Sequence, residues 1–119
     1  MKKKTLVVGA SANSARYAYK AVQLLEEKGH PVYAYGIKSG SIGLTEIKTD
    51  WPSEAFDTVT LYINPQHQKE YQDRIIDLKP ARVIFNPGTE NQVFEEKLLS
   101  AGIEVEQACT LVMLRVGTY

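Results

Sequence analysis

The sequence predicts an α/β fold: a single doubly wound domain with a five-stranded, mostly parallel sheet. Short runs rich in apolar and β-branched residues alternate with runs whose apolar residues recur at helical spacing. The first strand, Thr5–Val8, is almost wholly apolar, which is typical of a strand covered on both faces. Alternating strands and helices of these lengths predict right-handed crossovers between parallel strands.

In the first half of the chain, one helix is predicted between two strands. Helical periodicity begins at Ser14 and ends at Gly29, a stop signal just past the last turn. The second strand is Val32–Tyr35. Residues 37–56 have the weakest pattern of the chain, and in them we expect a mobile loop at 39–43 and a short extended segment at 44–48.

The second half of the chain predicts three further strands separated by helices. In order, the elements are strand Asp57–Ile63, a helix ended by Pro80, strand Ala81–Phe85, a helix before Gly102, strand Ile103–Val105 and a short C-terminal helix. Thr89 and Gln92 have capping-box spacing and are expected to begin the third helix.

The composition predicts one globular domain, residues 1–119, without a charge surplus. Lys plus Arg and Asp plus Glu each total 14, so the formal net charge is zero. A protein held to nucleic acid by phosphate contacts normally has a basic surplus, so nucleic acid is not expected as a partner. Cys109 is the only cysteine, and no apolar run is long enough for a leader or a membrane span. We therefore expect a cytoplasmic protein without an internal disulfide.

The loop after the first strand has the features of a phosphate-binding turn. Gly9 and Ala10 let the backbone approach an anion, and Ser11 offers a hydroxyl donor. Arg16 lies near the positive end of the helix dipole, where a cation is unfavourable unless an anion is close. Alternatively, the small residues only permit a tight turn and close packing of the helix. Position 11 and position 14 lack glycine, so the loop is not the dinucleotide fingerprint.

The loops after the second and third strands offer further candidate contacts. An NAD-binding protein would place a carboxylate after the second strand, but Lys38 stands there. A cation suits a phosphate on the ribose, as in NADP or coenzyme A (CoA), although Lys38 is alternatively a solvated surface residue. His67 is either a ligand contact or a capping residue. No metal-ligand spacing or triad pattern is present, so neither a metal nor a catalytic residue is expected.

Four motifs along the chain are shared with one known family. They are Gly9-Ala10-Ser11 with Arg16 and Tyr19, Pro52 with Asp57-Thr58-Val59, Val83 to Gly88 with Glu90, and Ala101 to Val105 with Cys109. They resemble the small single-domain CoA-binding proteins of bacteria, which are similar to the CoA-binding domain of succinyl-CoA synthetase. The resemblance implies a Rossmann-like domain that binds CoA across the strand ends.

The resemblance and the loop analysis together define the predicted ligand site. Its residues are Gly9, Ala10, Ser11, Asn13, Arg16, Gly36, Lys38, Ile63, Asn64, Pro65, His67, Pro87 and Gly88. The site is expected to span the carboxyl ends of the first, third and fourth predicted strands. The predicted function is a non-catalytic binding module for CoA or an acyl-CoA.

Two alternative functions remain open at this point. One is a small NADP-dependent oxidoreductase or sensor that uses the same loops. The other is a partner subunit whose cleft is vestigial. The sequence also leaves open whether the chain forms a homo-oligomer, and whether Cys109 is a thiol at the base of the cleft or a buried small residue.

Overall fold

A computed structural model describes residues 2–119 and confirms the α/β fold, with seven strands rather than the predicted five. The strands are β1 Thr5–Val8, β2 Val32–Tyr35, β3 Gly40–Ile42, β4 Thr45–Lys48, β5 Thr58–Leu61, β6 Arg82–Phe85 and β7 Glu104–Gln107. The helices are α1 Tyr17–Glu27, α2 Lys69–Leu78, α3 Gln92–Ser100 and α4 Thr110–Val116. A 3₁₀ turn, Pro65–His67, precedes α2.

One sheet contains all seven strands in the order β3-β4-β2-β1-β5-β6-β7. Every neighbouring pair is parallel except β3 with β4. Because β1 pairs with both β2 and β5, the direction in which strands are added reverses at β1. Doubly wound sheets bind ligands at this reversal, beyond the carboxyl ends of the strands.

Helices cover both faces of the sheet. On one face, α1 and α4 contribute Val22, Leu25 and Leu114 to an apolar cluster. On the other face, α2 and α3 contribute Ile75 and Phe94 to a second cluster. Every residue of β1, β5 and β6 is buried between these layers, which explains why all of them except Arg82 are apolar or β-branched. Within residues 2–119, no helix has the length and apolar character needed to cross a bilayer.

The two additional strands form a hairpin where the sequence predicted a loop at 39–43 and a short extended segment at 44–48. Ile42 and Ile47 are fully or almost fully buried against the α1 side of the sheet. The Glu26 carboxylate of α1 accepts hydrogen bonds from the Thr45 hydroxyl and the Leu44 amide. Each strand contributes only one fully buried side chain, so the alternating pattern is too short to predict a strand from sequence.

The start of α3 also differs from the prediction. Asn91 caps the helix, since its side-chain oxygen accepts a hydrogen bond from the Phe94 amide at 3.2 Å. The Asn91 amide in turn donates to Glu95 at 3.1 Å. The Thr89 hydroxyl instead donates to the Asn86 carbonyl at 2.8 Å. The capping prediction at Thr89 is therefore wrong by two residues, because Asn91 offers the same acceptor nearer the helix.

Candidate functional site

A cleft of about 930 Å³ lies at the carboxyl ends of β2, β1 and β5. This strand-end cleft is lined by residues 9–13, 16–18, 35–39, 62–64, 67 and 70–71. Its volume lies within the range of small-molecule sites, about 300–1,000 Å³. Ten of the thirteen predicted site residues line it, and Pro65, Pro87 and Gly88 do not.

Close backbone contact shapes the middle of the strand-end cleft. The amides of Gly9 and Ala10 both donate to the Tyr35 carbonyl, at 3.0 and 2.9 Å. A Cβ atom on Gly36 would lie 2.4 Å from the Ala10 carbonyl oxygen, and one on Gly9 would lie 2.8 Å from the Tyr62 carbonyl oxygen. Gly9 also has φ +101°, a conformation that favours glycine. The glycines therefore allow the loops after β1, β2 and β5 to meet.

Local hydrogen bonds fix the loop that leads from β1 to α1. The Asn13 amide donates to the Ser11 hydroxyl oxygen at 3.1 Å, and the Ala15 amide donates to the Asn13 side chain at 3.0 Å. The Arg16 amide donates to the Asn13 carbonyl at 3.0 Å. Asn13 therefore holds the turn in shape, and the Ser11 hydroxyl proton is left available to a ligand.

The N-terminus of α1 opens on the strand-end cleft without a capping side chain. Arg16 occupies the N-cap position in an extended conformation, so α1 begins three residues later than the predicted Ser14. The first turn contains no acidic residue. The first backbone N–H groups of a helix have no partner within the helix, and they carry the positive end of its dipole. Among the ion pairs of residues 2–119, none involves Arg16, which is exposed. This arrangement is complementary to an anion.

The β2 side of the strand-end cleft carries a second cation. Lys38 is exposed there and takes part in none of the ion pairs described for residues 2–119. The hairpin β3–β4 continues the sheet beyond β2 on this side, and the Gly36 amide donates to the Lys48 carbonyl at 3.0 Å. Ile37 is 85% exposed beside Lys38, so an apolar surface adjoins the cation.

The β5 side of the strand-end cleft is formed by the segment that follows the strand. Ile63, Asn64 and His67 line it. The Asn64 side chain accepts a hydrogen bond from the Gln66 amide at 2.9 Å and so caps the 3₁₀ turn. His67 ends this turn and is exposed. Asn64 thus has a structural role that the sequence analysis did not assign to it.

Aromatic side chains form a wall of the strand-end cleft. The rings of Tyr35 and Tyr71 meet edge to face with centroids 5.8 Å apart, and Trp51 stacks on Tyr71 at the same distance. Burial, together with a hydrogen bond to Tyr35, raises the pKa of Tyr71 to about 12. Burial also raises the pKa of Tyr62. These phenols are neutral at physiological pH and suit stacking and hydrogen bonding rather than proton transfer.

Sequence reasoning missed six larger side chains of the strand-end cleft. They are Tyr17, Tyr35, Ile37, Tyr62, Glu70 and Tyr71. The spacing of Tyr71 assigns it to the apolar face of its helix, which is correct but incomplete. Tyr35 is the last residue of β2, and Tyr62 directly follows β5. This position at the carboxyl edge of the sheet is the signal that could have identified them.

Cys109 lies outside the residues that line the strand-end cleft. It is half-buried at the N-cap position of α4, and its side chain accepts no capping hydrogen bond from the helix. The Thr110 amide instead donates to the buried Asn86 side chain at 2.9 Å. Among residues 2–119, no group of three His, Cys, Asp or Glu side chains is placed to hold a metal ion.

Comparison with known proteins places the chain in one family. Residues 3–115 match the CoA binding domain. A solved structure of an uncharacterized protein is 49% identical, with a TM-score of 0.96 over 100% of this chain and 99% of that chain. A hypothetical protein from Pyrococcus horikoshii OT3 is 25% identical, with a TM-score of 0.86 over 97% of this chain and 83% of that one.

A more distant solved structure supports the fold alone. Cell-free ID.343 from Thermus thermophilus is 22% identical, with a TM-score of 0.83 over 98% of this chain and 91% of that chain. No curated protein matches the sequence. Because the family match spans residues 3–115, nearly the whole chain, the protein belongs to the CoA-binding domain family.

Proposed function

We propose that the strand-end cleft binds CoA or an acyl-CoA and that the protein is a binding module without catalysis of its own. The observation that carries this proposal is the uncapped N-terminus of α1, with Arg16 beside it, opening on the cleft. Backbone N–H groups and a guanidinium are the donors that a diphosphate requires. We also propose that residues 1–119 act as one domain, although residue 1 lies outside the described part.

The residues of the strand-end cleft fit the chemistry of CoA. The N-terminus of α1 and the loop from Gly9 to Asn13 suit the diphosphate, and Lys38 on the β2 side suits a phosphate on the ribose. Ile37 and the aromatic wall supply apolar surface beside these cations. Family membership supports the same ligand class.

The second candidate is an NADP-binding protein, and Lys38 is the observation that favours it. NADP, like CoA, carries a diphosphate and a phosphate on its ribose. The loop after β1 argues against it, because Ser11 and Ser14 stand where the dinucleotide fingerprint has glycines. Binding of the two ligands therefore has to be compared directly.

A thermal-shift panel of CoA, acetyl-CoA, NADP and NAD tests the proposal. A ligand present at about 100 times its dissociation constant stabilises the folded state by about 2.7 kcal/mol, which shifts the midpoint visibly. We expect stabilisation by CoA and acetyl-CoA, and a smaller effect of NADP and NAD. Stabilisation by NADP alone would favour the second candidate. Release of free thiol from acetyl-CoA would contradict the absence of catalysis.

Replacing Arg16 with alanine is expected to weaken CoA binding by about 1.5–3 kcal/mol, the usual range for a hydrogen bond to a charged group. The stability of the unliganded protein should not fall, because a cation at a helix N-terminus costs a few tenths to about 1 kcal/mol. Calorimetric titration and denaturant unfolding measure the two quantities. Because Arg16 is exposed, the difference between wild type and variant should shrink with added salt.

The matched control for Arg16 is Arg115. It is exposed in the last turn of α4 and is not a lining residue, so its replacement by alanine should leave CoA affinity unchanged. Equal CoA affinity in wild type and Arg16→Ala, together with reduced stability of the variant, would show that Arg16 is a structural residue.

A further inference from the structure

Gln68 connects two loops at the carboxyl edge of the sheet. Its side-chain Nε2 donates to the Ile63 carbonyl at 2.9 Å and to the Thr89 carbonyl at 2.7 Å. Its Oε1 accepts a hydrogen bond from the Asn91 side chain at 3.1 Å. One amide group thus bonds the segment after β5 to the segment after β6.

The environment of Gln68 makes these hydrogen bonds costly to replace. The residue is only 1% exposed, so water does not reach the groups that the amide satisfies. Both N–H donors and the oxygen are used, which gives the side chain one orientation. A group without donors at this position would leave the Ile63 and Thr89 carbonyls without these hydrogen bonds.

The loop after β6 does not line the strand-end cleft, but Gln68 connects it to a segment that does. Pro87 and Gly88 are not lining residues, whereas Ile63 and His67 are. Gln68 directly follows His67 and bonds the Ile63 carbonyl, so it determines where both lie. The loop after β6 therefore acts as a support behind the β5 side of the cleft.

The order of the strands indicates which part of the ligand depends on this support. Lys38 lies at the end of β2, the N-terminus of α1 follows central strand β1, and Ile63 follows β5 on the other side. If the ribose phosphate lies by Lys38 and the diphosphate by α1, the pantetheine arm is left for the β5 side. We propose that Gln68 is a positioning residue that holds this side for the pantetheine arm; the inference rests on the proposed function.

Two ligands and three variants test this role. The ligands are CoA and 3′-phosphoadenosine 5′-diphosphate, which keeps the nucleotide but lacks the pantetheine arm. Gln68→Glu exchanges the two donors for an oxygen that faces two carbonyls, and Gln68→Met removes the hydrogen bonds without adding charge. Gln66→Glu is the matched control, because Gln66 is exposed in the same turn.

The expected result is a change in the ratio of the two affinities. CoA affinity of either Gln68 variant should fall about tenfold or more, which corresponds to the loss of one or two well-placed hydrogen bonds. Affinity for the nucleotide fragment, which lacks the pantetheine arm, should change less than about twofold. Gln66→Glu should leave the ratio unchanged. If the role of Gln68 were merely structural, the affinities for both ligands would fall in parallel. That outcome, or an unchanged CoA affinity, would overturn the inference.

Hydrogen exchange of the unliganded protein gives a readout that does not depend on the ligand. The amides of His67 and Thr89 are hydrogen-bonded within the two loops and should exchange faster in the Gln68 variants. The Gly29 amide, bonded to the Glu26 carbonyl, should be unaffected. If the wild type binds no CoA, the proposed function fails, while the exchange rates still decide whether Gln68 joins the loops. Unchanged exchange of the His67 and Thr89 amides would also overturn the conclusion that Gln68 joins the two loops.

Discussion

Replacing Gly36 with alanine is expected to lower the free energy of unfolding by about 1–3 kcal/mol, the range for overpacked sites, and to abolish ligand-induced stabilisation. The new Cβ atom would lie 2.4 Å from the Ala10 carbonyl oxygen and 3.0 Å from the Ile47 side chain. The oxygen belongs to the backbone, so the loop after β1 must move as a whole. That movement displaces residues 9–13 from the N-terminus of α1.

Gly40 provides the control for Gly36. Neither glycine has a φ angle that disfavours other residues, and both lie near the loop after β1. A Cβ atom on Gly40 would meet the Ala12 methyl group at 3.2 Å, so a shift of a few tenths of an ångström relieves the contact. Gly40→Ala should therefore retain stability and ligand binding. Full ligand-induced stabilisation in Gly36→Ala would contradict the assignment of Gly36 to the cleft.

Replacing Asn86 with alanine is expected to lower the free energy of unfolding by about 3–5 kcal/mol, since several buried polar groups lose their partner at once. Its Nδ2 donates to the Thr60 hydroxyl at 2.6 Å and to the Leu61 carbonyl at 2.8 Å. Its Oδ1 accepts from the Thr110 amide at 2.9 Å. The residue is 2% exposed, so water cannot replace these hydrogen bonds without a rearrangement. Denaturant unfolding measures the loss.

Asn64 provides the comparison for Asn86. Its side chain is exposed and accepts one hydrogen bond, from the Gln66 amide. Asn64→Ala should therefore cost about 0.5–2 kcal/mol, the range for loss of an N-cap. If both variants lost the same small free energy, the buried network around Asn86 would not join β5, β6 and α4 as described.

The sequence predicted the parts of the fold whose signals are local and strong. Thr5–Val8 is a continuous run of apolar and β-branched residues and α1 has helical periodicity, and the chain order of parallel strands follows from their alternation with helices. Of the hairpin β3–β4, the sequence predicted only a short extended segment at 44–48, because Ile42 and Ile47 alone carry its apolar pattern and its position depends on contacts with α1. The cap of α3 was misplaced because Thr89 and Asn91 are both capping residue types.

The candidate site was predictable where it depends on one loop and unpredictable where it depends on packing between loops. Gly9 and Lys38 lie in the loops after β1 and β2, Arg16 immediately precedes α1, and all three line the strand-end cleft. Tyr71 enters the cleft through its contact with Tyr35, which spacing along α2 does not reveal. The role inferred for Gln68 likewise depends on carbonyl groups five and twenty-one positions away, at Ile63 and Thr89.

Amide chemical shifts of ¹⁵N-labelled protein titrated with CoA test the central claim most directly. We predict saturable shifts at Gly9, Ser11, Gly36 and Ile63, which surround the strand-end cleft. The amide of His30, which lies before β2 at the opposite end of the sheet, should stay unchanged. A smaller depression of about 300 Å³ is lined by Trp51, Pro52 and Arg74, among others. Shifts confined to the His30 end or to this depression, or no saturable shift at all, would contradict binding of CoA in the strand-end cleft.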